Sequence, residues 1–551
     1  MKKKIGLLVL YMLCCCLAFS QNKTISGTIT DENGKSIPFA TISVKGKKTS
    51  VSADGDGKFY ISNISSSDVL VISAAGYSSK EIAAGNASSI DIVLIPKGST
   101  QLSEVVVTAL GIKRQPKEVG YSTARIKADE LTQAKIIDIG TGLSAKIAGL
   151  QVNLVNNGIN PDVRIISRGN HSLLGNNQVL IVIDGNPVSG QFLRSINPND
   201  VENITVLKGP GASALYGIEA ANGVMLVTTK KGTKGKPVIK FTTTTQAERI
   251  SYFPKIQTKY SPNGGESTGF TDPITGLPVR YDDPLTGKPL IVPFENQSFG
   301  SAYNSLDFPI NKIPIGGPVN GAFIFSEPYN GNTKNRTGFF QTGLTTQNDV
   351  SYSSGDEKGT FFFSLQDVNV KGVVPEDTRR RTGGRFSASK EYGRFTTVFN
   401  LGYSQTNLST YGNDYFQASP LFFNIISQPA HLDLRRFKNV DTDPFAGPSG
   451  YINAYAPNPW QQVFHSRNNR RQDDVIASFQ MGLQATSWLN FNYRLGYSQS
   501  TINCTAYIDN IKFTPEAISD PWGGGNIPGG LREVPASYEN KKLFISDLNS
   551  D

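Results

Sequence analysis

The sequence has 551 residues, enough for several domains, and a formal net charge of +9. The lysines at positions 2–4 contribute three of its positive charges. The other basic runs are scattered along the chain: KGKK at Lys45–Lys48, RRR at Arg379–Arg381 and RNNRR at Arg467–Arg471. A nucleic-acid-binding protein would gather basic residues beside aromatic residues on one element, so the charge distribution argues against that class. We expect each run to lie in a solvated turn or loop.

The first 20 residues have the pattern of a secretory signal peptide. Three lysines precede an apolar run from Ile5 to Phe19, and the small residue Ser20 follows. A lipoprotein signal at Cys14–Cys16 is the alternative, but none of these cysteines follows the usual Leu-small-small pattern. After cleavage only Cys504 remains, so no internal disulfide is expected.

Residues 24–96 are predicted to form a small β-sandwich. Six short alternating segments are separated by turn clusters, at the spacing typical of sandwiches. The segment ADGDGKF, Ala53–Phe59, resembles a calcium loop, but a twelve-residue loop that begins at Asp54 would end on Ser65 instead of the required glutamate. We therefore predict a hairpin turn. No zinc-ligand set is present in this region.

A linker, residues 97–120, contains a short β-prone segment. An extended, tethered segment of this kind can pair its backbone with the edge of another protein's sheet. The alternative, that the segment merely ends the sandwich, has equal support from its chemistry. The segment consists of Val105, Val106, Val107, Thr108 and Ala109.

Residues 121–235 have a mixed α/β pattern. The apolar spacing of Ala128–Val152 predicts helix, and four strands are predicted after it. The glycine-rich turn LKGPGASALYG, Leu207–Gly217, has the spacing of a dinucleotide-binding loop, which also needs an acidic residue about twenty positions later. Thr228–Gly232 reads TTKKG, and lysines cannot bind the ribose hydroxyls, so no nucleotide cofactor is expected.

Several long motifs in these regions resemble one family. VVVTALGIKR, RIISRGNHSL, VLIVIDGNPV and INPNDVENITVLKGPGASALYGIEAANGVMLVTTKKG are similar, in this order, to the SusC/RagA branch of TonB-dependent outer-membrane transporters. The preceding sandwich resembles the carboxypeptidase-regulatory-like domain. The resemblance implies that residues 121–235 are a plug domain with a purely structural glycine-rich turn, and that Val105–Ala109 are the Ton box, the segment that contacts TonB.

Residues 236–551 are predicted to be the first strands of a transmembrane antiparallel β-barrel. In VIASFQMGLQATSWLNFNYRLGYSQS, Val475 and Phe479 are among the apolar odd positions, whereas Ser478, Gln480 and Arg494 are among the polar even positions. One face would meet lipid and the other a wet lumen. About eight strands are expected, whereas a plugged transporter has about 22, so we expect an amino-terminal fragment.

The expected function is energised import across the outer membrane, without catalysis or cofactors. The three histidines are scattered, and the sequence has no Gly-x-Ser-x-Gly elbow and no clustered metal ligands. The family resemblance implies TonB and a SusD-like surface lipoprotein as partners. Oligosaccharide is the expected cargo, with peptides or an iron–siderophore complex as alternatives. Trp460, Tyr415 and Phe416 could stack on sugars, but packing within loops or at the membrane interface is the favoured interpretation.

Overall fold

The structure, a computed structural model, contains two compact units, Met1–Val119 and Gly120–Asp551. The domain boundaries given above stay predictions. The predicted signal peptide lies outside the described residues. The structure describes residues 23–31, 34–47, 49–95, 106–107, 113–114, 123–155, 158–208, 212, 214, 216–260, 302–303, 307–313, 323–328, 330–413, 420–451, 456–513 and 533–550.

The first unit contains the predicted β-sandwich. Its sheets have the strand orders β4-β1-β7 and β3-β2-β5-β6. Alternating apolar residues such as Ile25, Phe59 and Ile72 meet in the core between them. The strands are β1 Lys23–Thr30, β2 Thr41–Val44, β3 Ser50–Ser52, β4 Lys58–Ile64, β5 Val69–Ser73, β6 Lys80–Ala83 and β7 Ile92–Val93.

The turn at Ala53–Phe59 differs from the predicted hairpin. It is a tight turn in which the Asp54 carboxylate accepts hydrogen bonds from the backbone N–H groups of Asp56 (3.0 Å) and Lys58 (2.8 Å). However, β3 and β4 on either side belong to different sheets. The turn therefore connects the two layers of the sandwich.

The plug, defined here as residues 123–230, contains a five-stranded sheet of order β10-β15-β16-β13-β14 and a β11–β12 hairpin. Its core includes Leu143, Phe192 and Met225. Its elements are β10 Thr123–Lys127, α1 Ala128–Thr132, α2 Ile139–Leu143, β11 Leu150–Leu154, β12 Val163–Ser167, β13 Leu180–Ile183, β14 Asn186–Val188, β15 Val201–Leu207 and β16 Val224–Thr229, with 3₁₀ helices Gly190–Arg194, Pro198–Asp200 and Ile218–Ala220.

The prediction of one helix over Ala128–Val152 is wrong. The segment contains two helices of five residues each and ends in β11. Gly140 lies against Val163, and Gly142 lies against Ile136 and Leu131, so this segment folds back tightly onto the plug core. Tertiary packing has overridden the helical periodicity.

Eight antiparallel strands of 13–19 residues form one continuous sheet, called here the wall. This number confirms the predicted eight-strand portion of a barrel. Short turns join the strands at one end, the short-turn end, and longer links join them at the other, the long-loop end. The wall strands are β17 Gly235–Glu248, β20 Gly343–Gly355, β21 Gly359–Lys371, β22 Thr378–Tyr392, β23 Phe395–Tyr411, β24 Ser466–Gln484, β25 Asn490–Ile508 and β28 Ser537–Ser550.

The two faces of the wall have opposite chemistry, as the alternation predicted. Buried polar residues such as Ser364, Asn400 and Ser478 line the inner face, while exposed Phe399 and Phe479 lie opposite each other on the outer face. Successive side chains of a strand point to opposite faces, so this pattern produces one polar and one apolar surface. None of the helices in the described ranges has the length and apolar character of a membrane-spanning helix.

The links at the long-loop end contain a folded core of their own, called here the loop cluster. Phe339, Leu421, Phe437 and Trp460 are among its buried members. The Trp460 indole N–H donates to the Leu434 carbonyl oxygen at 2.6 Å. The elements in these links are β18 Asp307–Ile313, β19 Phe323–Pro328, α3 Lys334–Thr337, α4 Leu421–Ile426, a 3₁₀ helix Arg436–Lys438, α5 Pro459–His465, β26 Ile511–Lys512 and β27 Glu533–Val534.

The close packing of Gly27 in β1 gives a test of the sandwich. A Cβ atom at Gly27 would lie 1.9 Å from the Ile90 carbonyl oxygen, so we expect Gly27→Ala to lower the free energy of unfolding of this unit by about 1–3 kcal/mol. Gly55→Ala is the matched control, because no atom lies within 4 Å of its Cβ position. For both variants, the free energy of unfolding is measured in urea, with hydrogen exchange of the β1 amides as the probe. Equal stabilities would contradict the packing.

Candidate functional site

The plug lies against the polar inner face of the wall, and this contact, called here the seam, is the candidate functional site. Its polar contacts join residues 111 to 363 positions apart in the sequence. The seam contains three groups of contacts, centred on Asp138, Asp349 and Asp184.

The first group is a buried carboxylate between two arginines. Arg379 donates to Asp138 from Nη1 (2.8 Å to Oδ2) and from Nη2 (2.9 Å to Oδ1), and Arg381 Nη1 lies 3.1 Å from Oδ1. Arg381 also donates to the carbonyl oxygens of Ile137 and Arg194, which holds the plug backbone. Planar guanidinium groups suit this bidentate geometry.

The two arginines control the ionisation of Asp138. Burial by itself would raise the pKa of this carboxyl, but the charges and hydrogen bonds of Arg379 and Arg381 lower it to about 2. The carboxylate therefore keeps its charge throughout the physiological pH range. An ionised group at this depth is stable only while its partners remain in place.

The structure corrects the prediction that the basic runs lie in loops. Arg379–Arg381 belong to β22 and Arg467–Arg471 belong to β24. Arg379 and Arg381 are each only 1% exposed. The available signal was their spacing of two residues, which places both side chains on one face of a strand. Lys45–Lys47, in contrast, lie in a turn as predicted.

The second group surrounds Asp349 of β20. Its carboxylate accepts hydrogen bonds from Asn197 Nδ2 (2.8 Å), Asn199 Nδ2 (3.0 Å), Gln347 Nε2 (2.7 Å) and Gln366 Nε2 (2.7 Å). Neutral amides from both plug and wall therefore satisfy one buried carboxyl group.

The sequence INPND determines how the plug presents this group. Asn197 caps the 3₁₀ helix Pro198–Asp200, accepting from the Asn199 N–H at 2.9 Å, and Pro198 occupies its first turn. The helix directs Asp200 to the wall, where its Oδ2 accepts from the Ser364 hydroxyl at 2.7 Å. Burial raises the pKa of Asp200 to about 6, although Ser364 and Arg385 act in the opposite direction.

The third group is the tip of the β13–β14 hairpin. Asp184 (φ 49°) and Gly185 (φ 86°) form a two-residue turn with two positive φ angles, the geometry for which Asp-Gly is favoured. Asp184 Oδ2 accepts from Thr229 Oγ1 at 2.7 Å inside the plug and from Arg385 Nη2 at 2.6 Å on the wall. The Arg494 guanidinium lies so close to Gly185 that a Cβ atom there would be 2.6 Å from it.

The sequence prediction treated this hairpin as one strand within QVLIVIDGNPV. The Asp-Gly pair between apolar residues is a strong hairpin signal that could have identified the turn. Its contact with the wall could not be predicted, because the Gln480 amide that donates to the Asp184 carbonyl lies 296 residues away.

The predicted Ton box lies only partly within the described residues. Val106–Val107 form the two-residue strand β8, which pairs antiparallel with β9, Lys113–Arg114. Positions 105, 108 and 109 lie outside the described ranges. The assignment of this segment as the TonB contact stays a prediction.

The remaining candidate residues are the aromatic residues considered for sugar stacking and the glycine-rich turn. Trp460 is packed in the loop cluster, 4.5 Å between ring centroids from Phe339, which agrees with the packing interpretation. Tyr415 and Phe416 lie outside the described residues, as does much of the turn at 209–216. Within the described ranges, no group of three or more His, Cys, Asp or Glu side chains could hold a metal ion.

Loss of the Asp138 carboxylate would leave two buried cations without their partner. We expect Asp138→Ala to destabilise the seated plug by about 3–5 kcal/mol. The measurement is the urea concentration at which plug segments become accessible to solvent, which should fall in the variant. Glu130→Gln changes an exposed carboxylate nearby and is the matched control.

The pKa of Asp138 also predicts an acid response. It is lowered in the folded chain, so its contribution is complete above about pH 4 and decreases as the pH falls to about 2. Asp138→Asn should remove this part of the acid sensitivity. If wild type and Asp138→Asn respond identically between these pH values, the assignment is wrong.

Two family profiles match the amino-terminal part of the chain. The CarboxypepD_reg-like domain matches residues 25–107, and the TonB-dependent Receptor Plug Domain matches residues 115–224. A solved structure of the RagAB peptide importer in the open-open state superposes with a TM-score of 0.52 at 17% identity, covering 76% of this chain and 44% of that chain. This likeness shows the fold.

Curated relatives agree with the profiles. TonB-dependent receptor P26 of Formosa agariphila is 34% identical over 275 residues, which are 48% of this chain and 27% of that protein. TonB-dependent receptor SusC of Bacteroides thetaiotaomicron is 34% identical over 394 residues, 70% of this chain. The matched segment is 34% of SusC, so the chain spans about a third of this relative. A plug domain behind a CarboxypepD_reg-like domain, in a chain this similar to SusC, makes the protein a member of the SusC/RagA type of TonB-dependent receptors.

Proposed function

We propose that the protein imports a large nutrient, an oligosaccharide, across the outer membrane with energy delivered by TonB. The observation that carries this proposal is the seam. A folded plug is held against a polar wall by a small number of polar contacts, while the opposite face of the wall is apolar. Such contacts can break and re-form without covalent chemistry, which suits a gate.

The wall is proposed to lie in the outer membrane with its long-loop end outside the cell. Barrels of this kind have short periplasmic turns and longer extracellular loops, an arrangement that matches the links of the wall. The loop cluster then faces outward as a folded surface on which a SusD-like lipoprotein would dock.

Coupling is assigned to the Ton box, Val105–Ala109. Val106–Val107 already use strand geometry in β8, so the segment suits recognition by main-chain hydrogen bonds with an added strand from TonB. Pulling on this segment would act on the plug through the chain that follows it, which enters the plug at β10.

Peptide is the second candidate cargo. The structure with a similar fold is described as a peptide importer, whereas the SusC relative is described as a TonB-dependent receptor. Growth of the producing organism on single oligosaccharides or peptides, with and without the gene, separates the two. Growth loss confined to peptides would replace the oligosaccharide assignment.

Deletion of Val105–Ala109 should abolish uptake while cells still bind the cargo at their surface. Val106→Pro should act similarly, because proline lacks the backbone N–H needed for strand pairing, whereas Val106→Ile keeps it and should retain uptake. Whole-cell accumulation and surface binding of the same labelled growth substrate measure the two effects. Normal uptake by the deletion variant would refute TonB coupling through this segment.

The apolar outer face predicts a strong effect of a charge in lipid. Leu365 lies at the middle of β21 and is 48% exposed on this face. We expect Leu365→Arg to destabilise membrane insertion by about 2–4 kcal/mol, seen as less protein in the outer-membrane fraction. Glu357→Arg, at an exposed turn of the short-turn end, is the control. Equal membrane recovery would contradict a lipid-facing wall.

A further inference from the structure

Between the plug and the wall lies a cavity of mixed polar and apolar lining, called here the seam cavity, with room of about 40 Å³ for the centres of water molecules. It lies beside the Asp349 and Asp184 contact groups. Its lining includes polar side chains from both partners, Asp200 from the plug and Gln366, Arg385, Ser404 and Asp474 from the wall, beside the apolar side chains of Ile183, Ile196 and Ile476.

The cavity exists because the inner face of the wall has a glycine at this place. A Cβ atom at Gly402 would have no neighbour nearer than 3.8 Å, to Arg385 Nη1, and 3.9 Å, to the Ile476 carbonyl oxygen. Neighbouring inner positions of β23, such as Asn400 and Ser404, carry side chains that reach the interior. The gap is therefore built into the wall.

Polar groups around the cavity need further hydrogen bonds. Ser404 is 4% exposed, and no described residue provides a partner for its hydroxyl; the same holds for Arg385 Nε. Asp200 and Asp474 are 6% and 3% exposed. A buried polar atom without a partner destabilises the folded state, so these groups point to a ligand that both donates and accepts.

We propose that the seam cavity is a binding site for two or three ordered water molecules that bridge the plug and the wall. One water needs at least about 10–15 Å³ of such room, so a cavity of about 40 Å³ accommodates two or three of them. Water accepts from Arg385 Nε and donates to the carboxylates, whereas a metal ion would be repelled by the guanidinium. The chemistry therefore selects water over a cation.

The bridging water determines how the seam separates. Water molecules exchange hydrogen-bond partners at little cost, whereas the arginine–carboxylate contacts must be broken directly. The seam cavity is thus the part of the contact at which the plug first loosens. This consequence depends on the proposed transport function, but the water site itself does not.

Filling the cavity tests the proposal by the sign of the effect. In the intact protein in detergent, Gly402→Val should displace water and speed hydrogen exchange in plug strand β15 about tenfold or more, because polar groups lose their bridges. A dry cavity would instead be filled favourably, and exchange would slow, which would overturn the proposal. Gly482→Val, on the inner face of β24 outside the cavity, is the matched control.

A wild-type crystal structure at a resolution that shows water is the second measurement, which does not depend on folding of a variant. Two or three density peaks at 2.7–3.2 Å from Ser404, Arg385 and the carboxylates would support the site. An empty cavity, or one peak with oxygen ligands at 2.3–2.6 Å, as for calcium, would overturn it. Neither the exchange measurement nor the crystal structure uses an uptake assay. Both can therefore be interpreted even if the transport proposal fails.

Discussion

A charge can be buried in a protein only where partners neutralise it, and this constraint determines how the plug is seated. Asp138, the residue immediately before the short plug helix α2, faces the wall, and both Arg379 and Arg381 converge on its carboxylate. Neither the carboxylate nor the arginines would be stable in this environment alone. The contact therefore defines one position of the plug, in which the three charges meet.

At the other contacts of the seam, buried carboxyl groups are also satisfied by hydrogen bonds, but their partners differ. Asp349 is satisfied by four neutral amides, and Asp184 combines a wall arginine with a threonine of the plug itself. The turn at Gly185 brings the plug backbone against Arg494, which only glycine permits at that distance. A seam of discrete polar contacts resists sliding, yet its separation exposes groups that water can satisfy. These are suitable properties for a gate.

The wall makes such a seam compatible with a membrane. Since successive residues alternate between the two faces, the strands that present Ser364 and Asn400 to the plug present Phe363 and Phe399 on the other side. Polar contacts are thereby kept off the apolar face, which the proposed function places in lipid. At the long-loop end, a separate apolar core around Phe437 and Trp460 gives the links a defined shape.

Local sequence patterns predicted many of these elements. Alternation predicted the sandwich and the two-faced wall, and the motifs from VVVTA to TTKKG identified the family. Sequence patterns predicted the secondary structure less well where the local conformational preference and the tertiary packing disagree. Ala128–Val152 has helical periodicity, yet it forms two short helices and a strand, because its glycines lie against side chains of the plug core.

The sequence by itself determined the order of the domains, the period of the strands and the chemistry of each face, because these depend on neighbouring residues. Only the tertiary structure decided which charges are buried and paired. Arg379 and Arg381 look like an exposed basic run until Asp138, 241 residues earlier, is brought beside Arg379. Burial and pairing are long-range properties, and the spacing of two residues indicates a shared face without identifying the partner.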